Sequence, residues 1–588
     1  MSHSRAVVLV LIVPWFWATD SRAADLPLGT LSHDGPPTPE QISLYLPVTG
    51  RLDSSATATV RYRPSSSKAW LVAHPLHRIR PSDTTGSSPA DAFAGVITGL
   101  SPGRSYDVEV TVELGEASTV KTLTATTRAL SDEAGKPTKT IAAGATSEQI
   151  SAVLKEANPG DVIQFENGTY TVVGLQIQRS GTPARPIYLR GASRKGVRLK
   201  DASGTILQFL AVSDVIIEDM TLVGSKTDSG TDSASRGISF WNGGQSQERV
   251  TVRRVSFEGV DMGIVAWGDT KQLLVFDNTL TGNNKWDAKF LHSNLTWNDD
   301  GIRVPGTGNA VFNNTLSGFG DALAMSAGAT NTGVHFYRND IRMTGDDAFE
   351  GDYGVRNVTF YDNRIHNSMT HVSFDPIYGG PAFVFRNIAI NVGRAPYKLN
   401  NKNTGFFLYN NTVVRTKGFS SGATWGWVQF ANGPLVAWGY RNNILISHEG
   451  DRLLAMEPSG QEPVDFDHNA WYPDGSVWWT RSGGSFRSIE EARSKLPPTT
   501  PVFGTSTQRH DADVISEPNP FTPKVQLGEN HLTQITVPYT PTLADGTAPR
   551  SAGVVIPGVT DGFTGKAPDM GALIAGRETC VWGDRTTK

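Results

Sequence analysis

The letters FNNTLS at residues 312–317 are one copy of a phrase that decides the fold of this chain. Each copy begins with an aromatic residue, continues with polar residues that include an asparagine, and ends in residues typical of a β-strand. The copies are FDNTLT at 276, FNNTLS at 312, YRNDIR at 337, YDNRIH at 361, FRNIAI at 385, YNNTVV at 409 and YRNNILI at 440. The nearly constant period predicts a solenoid, in which each repeat forms one coil.

The repeated asparagine is predicted to have a structural role. Stacked coils place equivalent residues ~4.8 Å apart, which is the spacing of paired strands. At that distance a row of amides forms a ladder that satisfies backbone groups inside the turn. The row sets the register of the chain, and its members are Asn278, Asn314, Asn339, Asn363, Asn387, Asn411 and Asn443.

The composition indicates a soluble, turn-rich chain that leans towards β-structure. It has 588 residues, of which 60 are glycine and 19% are charged, and this length predicts two or more folding units. The formal net charge is −4, so nothing indicates a nucleic-acid partner or an anionic membrane surface. Cys580 is the only cysteine and therefore forms no internal disulfide.

Residues 1–24 have the pattern of a secretory signal peptide. Arg5 precedes the apolar run AVVLVLIVPWFWA, and the small residues Ser21 and Ala23 mark a cleavage site. Pro14 interrupts the run, which is also short for a membrane-spanning helix. A retained N-terminal anchor is the alternative. We expect a secreted or periplasmic protein that has no membrane contact after cleavage.

Residues 31–130 are predicted to form a small β-sandwich. Alternating strand patterns such as ATATVRYR and YDVEVTVEL are separated here by turns rich in Ser, Gly and Pro. The stretch LSPGRSYDVEVTV at 100–112 resembles the tyrosine corner of fibronectin type III domains, with Leu100 and Tyr106 as the packing pair. The resemblance implies a spacer or an accessory module.

Residues 137–500 contain the solenoid. SEQISAVLKEA at 147–157 is predicted to be a helix with Ser147 as its N-cap. Together with GDVIQFENGTYTV at 160–172 it resembles the opening of right-handed parallel β-helix proteins of the pectate-lyase-like superfamily, where a short helix caps the first coil. The resemblance implies an all-β chain in which a parallel β-helix follows the sandwich. We expect residues 501–588 to form an irregular arm, with PDMGALIAG at 568–576 as a closing strand.

The repeat places five segments one above another: GIRVPG (301–306), ALAMSA (322–327), AFEGDY (348–353), HVSFDP (371–376) and YKLNNK (397–402). In this register the inward positions are apolar or aromatic, which supports it. The outward residues then form two columns, and three aspartates lie at strand starts. The first column is Arg303, Ala324, Glu350, Ser373 and Lys398, the second is Pro305, Ser326, Asp352, Asp375 and Asn400, and the strand-start residues are Asp300, Asp321 and Asp347.

The acidic columns favour a polysaccharide-cleaving enzyme. Carboxylates within about two coils raise one another's pKa, so that one carries a proton while another stays ionised. Glycoside hydrolysis uses such a pair, and a glycoside hydrolase that needs no cofactor is therefore the preferred hypothesis. The predicted catalytic residues are Asp347, Glu350, Asp352, Asp375 and Lys398. The predicted substrate-binding residues are Arg303, Asp300, Asp321, His371, Tyr378, Tyr397, Asn400 and Lys402, and Gly379-Gly380-Pro381 is expected to form a sharp turn beside Tyr378.

The segments NDDGI (298–302), GDALAM (320–325) and GDDAFE (345–350) resemble the stacked acids of polygalacturonase-type hydrolases. The chain departs from that pattern, because Asp321 stands alone where an acid pair is expected and neither Gly-His-Gly nor Arg-Ile-Lys follows.

Two other functions stay open. Asp346, Asp347, Glu350 and Asp352 form a Ca²⁺-binding set if the acids hold a cation. That reading implies a polysaccharide lyase with Lys398 or His371 as the base. The third possibility is a carbohydrate-binding or adhesin solenoid without catalysis. The partner is in each case a polysaccharide, and we expect a monomer.

Overall fold

The computed structural model describes residues 25–83, 90–225, 235–241, 247–291, 299–327, 330–401, 403–418, 427–431, 435–448, 461–473, 486–496, 498, 502–503, 505 and 507–587. The predicted signal peptide and Lys402 lie outside the described residues. Within them, no helix is long and apolar enough to cross a membrane.

The central unit is a parallel β-helix with three sheets, as the sequence predicts. Each coil contributes one strand to each sheet, and the strands of a sheet pair in parallel with those of the coils before and after. The site sheet consists of Leu175–Ile177, Thr205–Leu210, Arg236–Trp241, Met262–Ala266, Asp300–Arg303, Asp321–Ala324, the ends of Asp340–Glu350 and Arg364–Phe374, Tyr397–Asn400 and Val428–Ala431.

The other two sheets are named here after the parts of the chain that cover them. The sandwich-facing sheet consists of Lys139–Ile141, Val162–Phe165, Ile187–Gly191, the starts of Val215–Val223 and Thr251–Val260, Leu274–Phe276, Ala310–Phe312, His335–Tyr337, Val358–Tyr361, Tyr378–Phe385, Thr404–Tyr409, Val436–Arg441 and Gln461–Asp467. The arm-facing sheet consists of Gly168–Val172, Val197–Asp201, the ends of Val215–Val223 and Thr251–Val260, Thr279–Gly282, Thr315–Phe319, the starts of Asp340–Glu350 and Arg364–Phe374, Ile388–Val392, Thr412–Arg415, Ile444–Ser447, Ala470–Tyr472 and Val514–Ile515.

A few short elements complete the described chain. The α-helices are Ser147–Lys155 and Ile489–Lys495, and the 3₁₀ turns are Pro81–Asp83, Ala288–Phe290 and Arg585–Thr587. The remaining short strands outside the sandwich are Gln247–Glu248, Thr270–Lys271, Gly306–Thr307, Phe521–Thr522 and Thr542–Leu543.

The asparagine ladder is confirmed. Each side-chain Nδ2 donates to the Oδ1 of the next asparagine at 2.9–3.0 Å. Each backbone N–H donates to the same oxygen at 2.9–3.2 Å. The ladder runs one coil further than predicted, to Asn469, whose backbone N–H donates to Asp513 Oδ1 at 2.7 Å. It joins every coil from Asn278 onwards to the next one.

The helix that closes the first coil is capped one residue earlier than predicted. Thr146 is the N-cap, since its side chain accepts a hydrogen bond from the backbone of Gln149. The Gln149 side chain accepts in turn from the Thr146 backbone N–H at 2.8 Å. This reciprocal pair is a capping box. Ser147 is instead the first helical residue, and its hydroxyl accepts from the Val173 N–H at 3.0 Å.

The N-terminal part is a sandwich of two antiparallel sheets around its own apolar core. Leu100 and Tyr106 are both buried in that core, and the Tyr106 hydroxyl accepts from the Ser101 N–H at 2.8 Å. The relationship to fibronectin type III domains stays a prediction. One sheet consists of Ser32–His33, Ile42–Pro47, Ala92–Ile97 and His77–Ile79, and the other of Leu71–Ala73, Thr57–Pro64, Ser105–Leu114 and Ala117–Thr126.

The sandwich packs against an aromatic column on the outer side of the sandwich-facing sheet. The first residues of the first five phrases form this column, in which successive ring centroids lie 4.7–5.1 Å apart. Val96 of the sandwich packs in the same cluster. Polar contacts surround it, among them the ion pair of Arg356 with Asp34 at 2.7 Å and the hydrogen bond between Ser43 and His335 at 3.3 Å. The stacked rings are Phe276, Phe312, Tyr337, Tyr361 and Phe385.

The C-terminal residues form an arm that covers the arm-facing sheet. Met570, Ala572 and Trp582 pack against outward residues of that sheet, and the Gly571 N–H donates to the Asn442 carbonyl at 2.6 Å. Residues 568–576 contain no strand, so the predicted closing strand is wrong. The segment carries apolar residues because it is a lid on an apolar sheet, and its hydrogen bonds go to turns instead of a strand edge.

Replacing one rung of the ladder should destabilise the β-helix. In Asn363→Ala, the Asn339 amide and backbone N–H and the Phe336 carbonyl lose buried partners. The expected loss in the free energy of unfolding is about 3 kcal/mol or more, because each orphaned buried group costs about 1–3 kcal/mol. Urea unfolding followed by circular dichroism measures it. Asn167→Ala, at an exposed asparagine, is the control, and an equal loss in both variants would contradict the structural role.

Candidate active site

The predicted register of the site sheet is correct. The strand pairings place Arg303, Ala324, Glu350, Ser373 and Lys398 in one row across five coils. The inward row beside it, which begins with Ile302 and ends with Tyr397, pairs in the same way. The sequence therefore predicts which acidic and basic residues share this face.

The strand-start aspartates lie at the corner where each coil enters the site sheet. Asp300, Asp321 and Asp347 have at most 1% of their surface exposed. Asp300 pairs with Asp321 across the sheet, and the Asp347 N–H donates to Asp321 Oδ1 at 2.8 Å. Glu350 and Asp346 complete two groups of carboxylate oxygens. Asp300, Asp321 and Glu350 place one oxygen each within 4.8 Å of one another, and so do Asp321, Asp346 and Asp347.

Three cations balance part of this negative charge. Arg303 Nη2 lies 2.5 Å from Asp300 Oδ2 and forms an ion pair without the alignment of a hydrogen bond. Lys398 Nζ donates to Asp347 Oδ2 at 3.4 Å. Arg394 Nη1 lies 3.8 Å from Asp346 Oδ1. Arg303 and Lys398 are about a fifth exposed, and with Glu350, which is also partly exposed, they form the accessible edge of the cluster.

Burial and mutual repulsion raise the pKa of the clustered carboxyls. Burial is the largest cause in each case, and neighbouring carboxylates add to it. The pKa of Glu350 is raised to about 9, that of Asp300 and of Asp352 to about 7, and that of Asp347 to about 6. The pKa of Asp321 lies well above its ordinary value. At neutral pH, several of these groups therefore hold protons.

The negative charge of the cluster also favours the protonated form of Lys398. The nearby Asp347 carboxylate raises the pKa of the Lys398 ammonium, with Asp346 and Asp352 contributing. Without a further cation, the amine is therefore charged at neutral pH.

The second outward column continues the polar surface. Asp352 accepts from the Ser373 hydroxyl at 2.8 Å, and Asn400 Nδ2 donates to Asp375 Oδ2 at 3.1 Å. Asn401 also contacts Asp375. The structure thus brings together the predicted residues Asp347, Glu350, Asp352, Asp375 and Lys398, together with Arg303, Asp300, Asp321 and Asn400.

The prediction that His371 and Tyr397 bind substrate is wrong. Both residues are fully buried inside the coil, with ring centroids 5.5 Å apart. The N–H groups of His371 and Val372 both donate to the Pro396 carbonyl, so alternation is interrupted and consecutive side chains turn inward. Burial lowers the pKa of His371 to about 3. This histidine is therefore excluded as a base that meets the substrate.

Tyr378 is placed differently from the prediction. It begins the strand Tyr378–Phe385, and Gly379-Gly380-Pro381 forms a bulge within that strand instead of a turn between elements. Tyr378 is partly exposed, and its N–H donates to the Gly354 carbonyl at 2.8 Å. Tyr353 follows Asp352 directly and is 37% exposed. The sequence does not predict it as a substrate-binding residue. Its position after an outward acid at a strand end is the only signal that pointed to it.

The donor set fits Ca²⁺. Carboxylate oxygens are the ligands that this ion prefers. Both carboxylate oxygens of Asp300 and Oδ1 of Asp347 are buried without a hydrogen-bond partner among the described residues. Two oxygen groups that share Asp321 gather more negative charge than Arg303, Lys398 and Arg394 balance. The geometry therefore suits a divalent cation at the corner of the site sheet, held by Asp300, Asp321 and Glu350 or by Asp321, Asp346 and Asp347.

Comparison with known proteins yields structural similarities alone, since no family model and no curated protein matches the chain. The PL6-family alginate lyase AlyGC is 13% identical with a TM-score of 0.33, covering 59% of this chain and 52%, about half, of that protein. A mannuronic-acid-specific family 6 polysaccharide lyase from human gut microbiota is 12% identical with a TM-score of 0.38, covering 62% and 91%. An alginate lyase from Paenibacillus sp. str. FPU-7 is 16% identical with a TM-score of 0.33, covering 51% and 99%. The strand register establishes the parallel β-helix independently of them.

The carboxyl cluster should make stability depend on pH in the alkaline range. The folded pKa of Glu350 is about 9, against about 4.3 in an unfolded chain. The folded state therefore binds the proton more tightly. The stability that results is complete below the unfolded value and is lost as the pH rises through the folded one. In a chelator, the melting temperature should fall between about pH 7.5 and 9, where the buried histidines are neutral in both states.

Two controls accompany this measurement. Glu350→Gln should flatten the fall, whereas Glu113→Gln, an exposed position on the sandwich, should leave it unchanged. Added Ca²⁺ should raise the melting temperature and reduce its dependence on pH, because a bound cation takes the place of the protons. A fall equally steep in Glu350→Gln would contradict the assignment.

Proposed function

We propose that this chain is a polysaccharide lyase that cleaves an acidic polysaccharide by β-elimination on the outer face of the site sheet, with Ca²⁺ held by the carboxylate cluster. The observation that carries the proposal is the pair of oxygen groups sharing Asp321, with Lys398 on the adjoining outward column. A cation at this corner would also offset the repulsion between an acidic face and an acidic polymer.

The number of clustered acids favours this function over hydrolysis. Hydrolases hold two carboxyls about 5–5.5 Å or 6.5–9.5 Å apart, one as acid and one as base or nucleophile. Here three carboxylates in each group approach within 4.8 Å, and five carboxyls have a raised pKa. Such a set of carboxylates is better suited to binding a cation than to acting as a single acid–base pair.

Hydrolysis is the second candidate, and one observation favours it. Glu350, with a pKa of about 9, carries a proton at neutral pH and is partly exposed. Asp347 lies beside Lys398, which favours its ionised form. These two groups would be the acid and the base of a hydrolase.

When bound, Ca²⁺ would neutralise the uronate carboxylate and make the adjacent C–H bond more acidic. Lys398 is the basic group placed to take that proton on Nζ, once neutralised carboxylates no longer hold it charged. The electrons of the C–H bond form the new carbon–carbon double bond as the glycosidic C–O bond breaks. Asp352, with a pKa of about 7 and outside both oxygen groups, can give a proton to the departing oxygen.

The cellular location also belongs to this proposal. The apolar run after Arg5 and the small residues before Asp25 support export through a cleaved signal peptide. An exported lyase would meet its polymer in the periplasm or in the surrounding medium.

Incubation with acidic polysaccharides, including alginate and polygalacturonate, and with Ca²⁺ should produce ultraviolet absorbance from a double bond conjugated to a carboxylate. Lys398→Ala should lower kcat by about 100-fold or more, the usual contribution of a positioned acid or base. Lys200→Ala, an exposed lysine of the arm-facing sheet, is the control and should keep full activity.

The products separate the alternatives. New reducing ends without that absorbance would establish hydrolysis and overturn the lyase proposal. Retention on a polysaccharide without any cleavage would indicate a binding solenoid. Full activity of Lys398→Ala would remove this lysine from the reaction.

A further inference from the structure

A large aromatic side chain lies exposed on the site sheet, one coil before the carboxylate cluster begins at Asp300. Trp267 follows the strand Met262–Ala266, and 43% of its surface is exposed. Its coil pairs directly with the coil of Arg303. Tyr353 and Tyr378, which are also near the face, lie on later coils. An exposed indole on an otherwise polar face suggests a contact with a ligand.

Two arginines accompany this tryptophan. The Arg303 guanidinium carbon lies 5.1 Å from the centre of the indole, and that of Arg236 lies 5.7 Å from it. These are distances at which an aromatic face attracts a cation and fixes its position. The indole therefore holds two planar cations on the same part of the site sheet.

The two arginines differ in their partners. Arg303 is paired with Asp300, whereas Arg236 has no anionic partner among the described residues. The Arg236 Nε is also buried without a hydrogen-bond partner in the described part of the chain. Half-burying a guanidinium without a counter-charge costs free energy, and binding an anion offsets that cost. The chemistry of Arg236 suits a carboxylate, which a planar guanidinium binds through two parallel hydrogen bonds.

We propose that Trp267, Arg236 and Arg303 form a subsite for an acidic sugar ring. The sugar carboxylate pairs with Arg236, which Trp267 holds in place, and the exposed part of the indole packs against the apolar C–H surface of the ring. The placement of the polymer along the site sheet rests on the proposed function. Binding of an acidic sugar at this subsite does not require cleavage.

The distance along the solenoid determines which ring of the polymer is bound. Three strand pairings separate the coil of Trp267 from that of Glu350. At ~4.8 Å per pairing, the coil of Trp267 lies about 14 Å along the solenoid axis from that of Glu350, while Arg303 contacts Asp300 at the near end of the carboxylate cluster. A polymer that follows the solenoid axis would therefore place a ring at Trp267 that is two or three sugars away from the bond that breaks. The subsite would act on long chains and leave the shortest cleavable oligomer unaffected.

Affinity electrophoresis of the full chain tests the subsite separately from cleavage. The gels contain alginate, polygalacturonate or neutral mannan, with a chelator present so that the Ca²⁺-dependent reaction is absent. The wild type should be retarded by at least one polyuronate and not by mannan. Trp267→Ala and Arg236→Gln should each weaken this retardation about tenfold, through loss of the apolar contact or of the charge pair. Arg236→Lys should recover only part of it, because lysine lacks the planar fork.

The chain offers a matched control. Trp70 on the sandwich also has two arginines over its ring, with Arg61 at 4.7 Å and Arg63 at 4.5 Å, and Trp70→Ala should bind as the wild type does. Retardation unchanged in both Trp267→Ala and Arg236→Gln overturns the proposal, and so does a wild type that no polyuronate retards. Arg236→Gln, a change at a partly exposed side chain, keeps the test valid if Trp267→Ala does not fold.

Kinetics give a second readout that distinguishes the two proposals. If the chain cleaves polyuronate, Trp267→Ala should raise KM for long chains about tenfold, leave kcat within twofold, and leave the shortest cleavable oligomer unaffected. An equal loss on long and short substrates would place Trp267 outside the subsite. If no substrate is cleaved, the proposed function fails, and the retardation experiment still decides the subsite.

Discussion

The hydrogen bond from one asparagine amide to the next is the interaction on which the rest of the structure depends. A slip of one residue in any coil of the ladder would leave a buried backbone N–H, an amide donor and a carbonyl without partners. Every turn of the ladder lies between the sandwich-facing and the arm-facing strand of its coil. In the coils of Asp321 and Asp347, the distance from that turn to the site sheet is set by one arm-facing strand. Asp300 follows residues 283–299 instead, and its strand pairing with Asp321 places it in the same row.

A rigid register is also what permits so many buried acids. Like charges at the corner of the site sheet repel one another, and burial makes each ionised carboxylate more costly still. A flexible loop would relax by moving the acids apart. Here the strands of neighbouring coils hold Asp321 between Asp300 and Asp347, so the repulsion persists as raised pKa values. A cation or a set of protons can relieve it, and the choice between them depends on pH and on the supply of the ion.

The sequence predicts those parts of the fold that depend on period. The coils, the ladder and the column from Arg303 to Lys398 all follow from counting residues between asparagines. The inward turn of His371 could not be predicted, because a local break in alternation leaves no mark on the apolar pattern. Thr146 and Ser147 are equally good caps by residue type, and only the partner at Gln149 decides between them. The sequence predicts the function less closely than the fold, because the distances between carboxylate oxygens depend on side-chain conformation.

The contact between the sandwich and the aromatic column has a consequence for how this chain is built. An accessory module joined by a linker can be lost or exchanged without harm to its neighbour. In this protein the column of rings from Phe276 to Phe385 faces outward from the solenoid, and the sandwich and the residues Ile556 and Val559 of the arm cover it. A β-helix without its N-terminal module would expose a continuous apolar surface along its length. Exposed apolar surfaces of this kind associate with one another. The sandwich therefore keeps this apolar surface from water, and removing it would expose the β-helix to self-association.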